Sequence, residues 1–350
     1  MTTAPYHLAR RPAAAGGIAI VTQDHLLFGW HIRSEIPLPE VPVWNGPAGH
    51  QPDVIIRVGP VPHALETAPD ETTQDAAAAA PFRTVEVADG RVLIRLKDCG
   101  EVLVTGGREI VVSPATIIDT VDIRTYLLGI IMGALCHQRG EIVLHAACLR
   151  IGDQAVAITG ASGAGKSTLA ASLIARGLDM LADDLTMLRI GEDGCCRAWP
   201  AYPRMRLWQD AADRRQIDTA ALDLCISDLT KFQVPVDDRF VRQPLPLAAV
   251  VHLDRCDDPA DEGLFPLRGL GAAIEMRNAI YRPGIAVRLG LQTAVQVKAA
   301  RLAALIPHHM RLTRFLDDLS AERAADRLLS SDATGMGPDV GGGSVTAAGR

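Results

Sequence analysis

Lysine is almost missing from this chain: of its 35 basic residues, four are lysines and 31 are arginines. Acidic residues outnumber basic ones, 41 to 35, for a formal net charge of −6. That balance argues against a nucleic-acid binder working through a broad basic field. Cysteine is sparse, odd in number and scattered, with seven in 350 residues, which excludes a disulfide-built scaffold and points to a reduced, cytoplasmic protein. Long hydrophobic runs are missing too. The longest candidate, Thr125 to Cys136, falls short of the ~18 apolar residues that cross a bilayer. The first 25 residues hold no sustained apolar stretch followed by a small-residue cleavage site, so no targeting signal is expected.

What is there suits a folded protein: 48% hydrophobic and 22% charged residues can bury a sizeable core, and the length fits two ordinary domains or one large one. Residues 1–110 read as a small β-rich domain. Asp53-VIIRVG-Pro60, Thr84-VEVADGRVLIRL-Lys97 and Glu101-VLVTG-Gly106 are rich in β-branched residues, and Asp89-Gly90 is a hairpin signal. Residues 61–81, ending in five alanines before Pro81, read as an irregular connector. Nothing in this region suggests chemistry, so it is read as an accessory or recognition module. Residues 111–140 read as a connecting helix, with Ser113 as N-cap and Pro114 at the first helical position. Ile117, Val121, Leu128, Ile131 and Leu135 recur near helical spacing, and Gly140 follows as a C-cap.

From 141 to 325 the pattern alternates strand and helix. Ile142 to Arg150 reads as a strand, Gly152-Asp153 as a tight turn, Ala155 to Thr159 as a second strand, and Lys166 to Arg176 as a helix closed by Gly177. Leu178 to Ala182 is a third strand, ending in Asp183-Asp184. Strand, helix, strand implies an α/β fold with parallel pairing. Residues 326–350, rich in Gly and Ser, read as a disordered tail.

Gly160-ASGA-Gly165-Lys166-Ser167 matches the phosphate-binding pattern G-x-x-x-x-G-K-[ST] without a mismatch, between an apolar strand and a helix. This chain's own residue frequencies give roughly 0.003 chance matches. Gly160, Ala161, Ser162, Gly163, Ala164, Gly165, Lys166, Ser167 and Thr168 are therefore the candidate nucleotide contacts: backbone amides for phosphate oxygens, Lys166 for the β- and γ-phosphates, Ser167 for Mg²⁺. Asp183 and Asp184 stand at a strand end, where open α/β sheets bind ligands. A pair of carboxylates beside a triphosphate allows one to face the metal and one to deprotonate an attacking hydroxyl; taken alone, such a pair is more often a turn or cap. His145 in an apolar strand is, on its own, more often a core residue than a catalytic one. Cys195-Cys196 reads as loop cysteines without ligand spacing.

Together, Val143-LHAA, Ile158-TGASGAGKSTLAASLIARG and Leu181-ADD resemble the HPr kinase/phosphorylase family, serine kinases with a P-loop domain akin to phosphoenolpyruvate carboxykinase. The resemblance spans roughly residues 140–325. It implies ATP and Mg²⁺ as cofactors, Asp183 as the base toward a serine, Asp184 as the carboxylate on the Mg²⁺ side, and His145 near the transferred phosphate. The glycine-rich acidic signature of the bifunctional enzymes is not visible, and no Glu occurs between Asp193 and Asp261, so the resemblance implies the kinase half-reaction and leaves the phosphorylase half-reaction open. Ala198-WPAYPRMRLW-Gln209, Phe28-GWHIRSEIPLPE and Asp53-VIIRVGPVP look like the shorter HPr-kinase-related proteins, including those that phosphorylate lasso-peptide precursors. The partner implied is a serine-bearing protein or precursor peptide, with no nucleic acid or membrane; a homo-oligomer is compatible. Arg204 and Arg206, alternating with Met205 and Leu207, are candidates for phosphoryl oxygens or an acidic substrate, against the plainer reading of a solvated face; Arg282 is another. Two other readings stand beside the serine kinase: a nucleotide-gated peptide-binding protein with little turnover, and a small-molecule kinase.

Overall fold

The computed structural model describes residues 21–65, 82–96, 98–115, 121–220, 222–225 and 230–331. The expectations for segment 1–20, for most of the connector (66–81), for Ile117 and for the tail from 332 onward lie outside the described residues.

Seven short strands build the first sheet: β1 (Gln23–Leu27), β2 (Trp30–Ser34), β3 (Val54–Val58), β4 (Phe82–Ala88), β5 (Arg91–Leu96), β6 (Gly100–Thr105) and β7 (Glu109–Pro114), in the order β1-β2-β3-β7-β6-β5-β4. Asp89 and Gly90, with φ of 49° and 71°, close the β4–β5 hairpin in the mirror-image turn that matches the twist of paired strands. Gly29, φ 77°, does the same between β1 and β2 and has a second constraint: a Cβ there would sit 2.1 Å from the Trp199 ring. The hairpin tip thus docks directly on the second half of the chain. Ser113 and Pro114 end a strand instead of starting a helix, because they pair with Glu101 and Gly100 of β6. The boundary expected at residue 110 consequently falls inside β7.

Among the described residues the helix starts at Val121. Helix α1 (Val121–Tyr126) and helix α2 (Met132–Gln138) are joined by a π-helical turn, Leu127–Ile131, in which Gly129 leaves helical geometry. All five residues of that turn are buried, as expected for a helix with no solvent face. A Cβ at Gly133 would lie 2.7 Å from the Tyr281 ring, so the helix can approach that ring only as glycine.

The remaining elements are β8 (Ile142–Leu144), β9 (Ala146–Ile151), β10 (Gln154–Gly160), α3 (Lys166–Ala175), β11 (Asp179–Ala182), β12 (Thr186–Ile190), β13 (Cys196–Trp199), β14 (Arg204–Trp208), α4 (Gln209–Arg214), β15 (Lys231–Pro235), β16 (Leu245–Arg255), β17 (Gly263–Leu267), α5 (Gly269–Asn278), α6 (Pro283–Arg288), α7 (Gln292–Leu305), β18 (His308–Arg314) and α8 (Ser320–Leu329). A nine-stranded sheet follows the path β11-β9-β10-β16-β13-β12-β8, with β18 and β17 branching from β16; β14 and β15 form a separate ribbon. The protein is a mixed α/β structure. None of its described helices is long and apolar enough to cross a membrane.

Two expectations about pairing are corrected. The strand expected over Ile142–Arg150 breaks at His145: β8 pairs with β12, whereas β9 pairs with β10 and β11. β10 and β11 run in the same direction but are not neighbours, since β9 lies between them, antiparallel to both. The tight Gly152-Asp153 turn returns the chain along β10 and occupies that slot. On its other edge β10 pairs in parallel with β16, which pairs in parallel with β18. Three parallel strands therefore finish at the edge where the glycine-rich loop begins.

Leu169 and Leu173 of α3 are fully buried against residues of β10, β16, β18 and α8, each such side chain worth ~1.5–3 kcal/mol. Ala321, Ala324, Ala325 and Leu328 give α8 its buried face. The tail expected from residue 326 thus begins inside a helix. Cys196 lies in β13, not in a loop, and the seven cysteines are free.

His252 and His309, on β16 and β18, are both buried, their rings stacked at 5.9 Å. Burial disfavours the imidazolium, pushing His252 down to about 3 and His309 to about 4. Between those values and the ordinary value near 6.5 the unfolded chain binds more protons than the folded one. Stability is therefore present above about pH 6.5 and lost as pH falls, by about 1.4 kcal/mol per histidine for each pH unit in that window. Urea midpoints at pH 7 and pH 5 should differ accordingly, and replacing both histidines with glutamine should shrink the difference. Equal midpoints at the two pH values for the wild-type chain would contradict this.

Candidate functional site

Gly160 ends β10 with φ 150°, and a Cβ there would meet the Leu253 carbonyl oxygen at 2.8 Å. Gly165, φ 85°, is the N-cap of α3. These two glycines let the chain turn sharply and pass close to its neighbours. Ala161, Ser162 and Gly163 are exposed at the crest of the loop, Ala164 is buried, and Thr168 completes the first turn of the helix. As at every helix start, the first amides of α3 have no acceptor within the helix, which favours an anion there.

Lys166 is buried and folded onto its own loop: Nζ donates to Gly160 O at 2.9 Å and Ala161 O at 3.1 Å. Burial pulls its pKa down to about 8, against the pull of Asp184 and Asp183. The Ser167 hydroxyl donates to Asp183 Oδ1 at 3.1 Å. Loop and strand end are thus joined by one hydrogen bond.

Asp183 also accepts the backbone N–H of Arg206 through Oδ2 at 2.7 Å. Burial raises its pKa above the usual carboxylate range, opposed by Lys231 and the Arg206 amide. Asp184 differs in backbone and in partners. Its backbone is left-handed, φ 71°, a region that Asp tolerates better than most residues. Its carboxylate takes the Arg206 guanidinium at 2.8 Å and His145 Nδ1 at 3.2 Å. Although burial opposes it, these charges hold Asp184 well below the usual range. The contact with Ser167 belongs to Asp183, while Asp184 turns to Arg206 and His145.

His145 stands at the break between β8 and β9, its Nδ1 also 3.1 Å from the Asp184 carbonyl oxygen. Facing two oxygens, Nδ1 is the ring nitrogen that acts as donor here. Tyr281 lies beside it, ring centroids 5.8 Å apart. Arg206 additionally donates to the Tyr202 hydroxyl at 3.1 Å, and the π-helical turn at Gly129 lies behind this group: a Cβ there would be 3.6 Å from the Tyr281 hydroxyl and 4.0 Å from Arg206.

The structure thus gathers Lys166, Ser167, Asp183, Asp184, His145 and Arg206. Arg204 goes elsewhere, with Nη1 on Asp237 at 2.7 Å, and Arg282 stands at the residue before α6, in left-handed backbone, with its guanidinium over the Tyr281 ring. Sequence reasoning passed over Lys231, whose charge acts on both aspartates and on Lys166; the scarcity of lysine was the signal that could have found it. Tyr202 and Tyr281 had no such signal. Among the described residues no group of three or more His, Cys, Asp or Glu side chains could hold a metal ion.

Compared with known proteins, the chain matches no family model and no curated protein. Among solved structures it is similar to the HPr(Ser) kinase/phosphatase from Coxiella burnetii, at 17% identity over 53% of this chain and 94% of that one, with a TM-score of 0.28.

Proposed function

We propose that the chain is a kinase of the HPr-kinase-like type, which binds ATP at Gly160–Thr168 and transfers its γ-phosphoryl group to a serine hydroxyl of a protein or precursor peptide. The observation that carries this reading is the Ser167–Asp183 hydrogen bond at 3.1 Å, which brings the motif's hydroxyl and the strand-end carboxylate into one site. The glycine cradle and the open amides of α3 fit phosphate oxygens. Ser167 and the aspartate pair supply the hard oxygen donors that suit Mg²⁺, whose chemistry there would be to neutralise charge on the β- and γ-phosphates.

The chain's own residues do the rest. Lys166 exchanges its loop carbonyls for phosphate oxygens. Asp183, whose proton affinity is raised by burial, accepts the serine proton. Asp184 stays ionised and holds Arg206 and His145 in place, so Arg206 remains charged beside the reacting groups. Catalysis is then positioning and electrostatics. With Mg²⁺, γ-labelled ATP and a library of serine-containing peptides, acid-stable phosphoserine is the expected product. ATP binding with no label in any peptide would overturn this reading in favour of a nucleotide-gated binder; label in a small hydroxy compound alone would favour a small-molecule kinase.

A further inference from the structure

We infer that Arg255 and Arg314 grip the phosphate-binding loop from its outer side, fixing its turn and the Gly165 amide that faces the nucleotide, an inference that rests on the functional reading above. The two arginines are partners in register at the ends of the parallel strands β16 and β18. Arg255 Nη2 donates to Gly163 O at 2.5 Å, and Arg314 Nη2 donates to Ala164 O. These are consecutive carbonyls of the loop. In a planar trans peptide the N–H points opposite to the C=O, so holding Ala164 O from outside leaves the Gly165 N–H on the inner side. Holding Gly163 O likewise orients the Ala164 N–H, which closes the turn onto Ala161 O at 3.1 Å.

Arg314 is unusual for a guanidinium. It is 3% exposed, its Nε is a buried donor with no partner, and among the described residues no carboxylate lies within ion-pair distance of it. Burial and the charge of Arg255 lower its pKa to about 10, which still leaves it cationic at neutral pH. The Glu262 carboxylate acts on it from a distance but is bonded to Arg323 and Arg327. A buried cation with no anion in contact is costly, and the phosphates of a nucleotide in the loop would be a further anion within its field. The contact is also tight: a Cβ at Gly165 would lie 2.5 Å from Arg314 Nη2. Both arginines are positioning residues, acting through the loop on any pyrophosphate-bearing ligand.

The test is the affinity of the full chain for Mg·ATP and for inorganic pyrophosphate. Losing a charge-assisted hydrogen bond should weaken both ligands alike, about 10- to 100-fold in Arg314→Met, with a rise in KM exceeding the fall in kcat. Arg314→Lys should recover part of the loss, which a purely structural role would not require. Arg255→Gln, at an exposed strand end, should weaken both ligands about 3- to 10-fold and carries the test if Arg314→Met fails to fold. If the wild-type chain binds ATP and the folded variants bind it equally well, the grip is refuted and the kinase reading survives. If the wild-type chain binds neither ligand, the kinase reading fails and the grip with it.

Discussion

Asp183→Asn should slow phosphoryl transfer by ~10²–10⁴-fold, the usual effect of removing a general base. Asparagine keeps the shape of the side chain and can still accept the Arg206 amide through its oxygen, a bond now 2.7 Å long, but it cannot take a proton from serine. Affinity for ATP without Mg²⁺ should change little or rise, because one negative charge near the triphosphate is gone. Single-turnover transfer and equilibrium ATP binding, measured on the same preparation, separate the two effects. Transfer at the wild-type rate would show that Asp183 is not the base.

Asp184→Asn should damage the fold instead. Arg206 is enclosed by Asp184, Tyr202 and the Asp183 contact of its own amide, and Asp184 supplies its ion-pair carboxylate at 2.8 Å. Removing one partner of this largely buried pair leaves an uncompensated charge, at a cost of up to about 3–5 kcal/mol. The backbone is not the reason, since Asn accepts the left-handed conformation as readily as Asp. The double variant Asp184→Asn/Arg206→Met should therefore be more stable than Asp184→Asn alone in urea unfolding. Equal stability of wild type and Asp184→Asn would remove the ion pair from the account.

The difference between the two aspartates marks how far the sequence could be read. The Gly160–Ser167 loop was legible because its geometry is local: the glycines, the lysine and the hydroxyl are contiguous, and strand and helix flank them. The Asp89-Gly90 hairpin was legible for the same reason. Ser113-Pro114 misled because β6 and β3 claim β7 through long-range pairing, which overrides a local capping signal. The place of β9 between β10 and β11 was hidden because one tight turn competes with a helical crossover for the same sheet edge. The contacts of the two aspartates were not legible: Asp183 takes Ser167, whereas Asp184 takes Arg206 and His145. Two adjacent side chains at a left-handed corner point in different directions, and spacing alone carries no information on which is which. Arg255 and Arg314 were unreadable among 31 arginines; only the parallel register of β16 and β18 brings them to one loop.

The measurement that bears most directly on the central claim is equilibrium binding of Mg·ATP to the wild-type chain and to Lys166→Ala. Lys166 is buried, and its Nζ bonds Gly160 O and Ala161 O within the loop. The variant should therefore fold, while losing the charged donor to the phosphates. The wild-type chain is expected to bind and the variant to bind at least about 10-fold more weakly. A wild-type chain without affinity for ATP, or a folded Lys166→Ala that binds it equally well, would contradict the assignment of this loop as the nucleotide site.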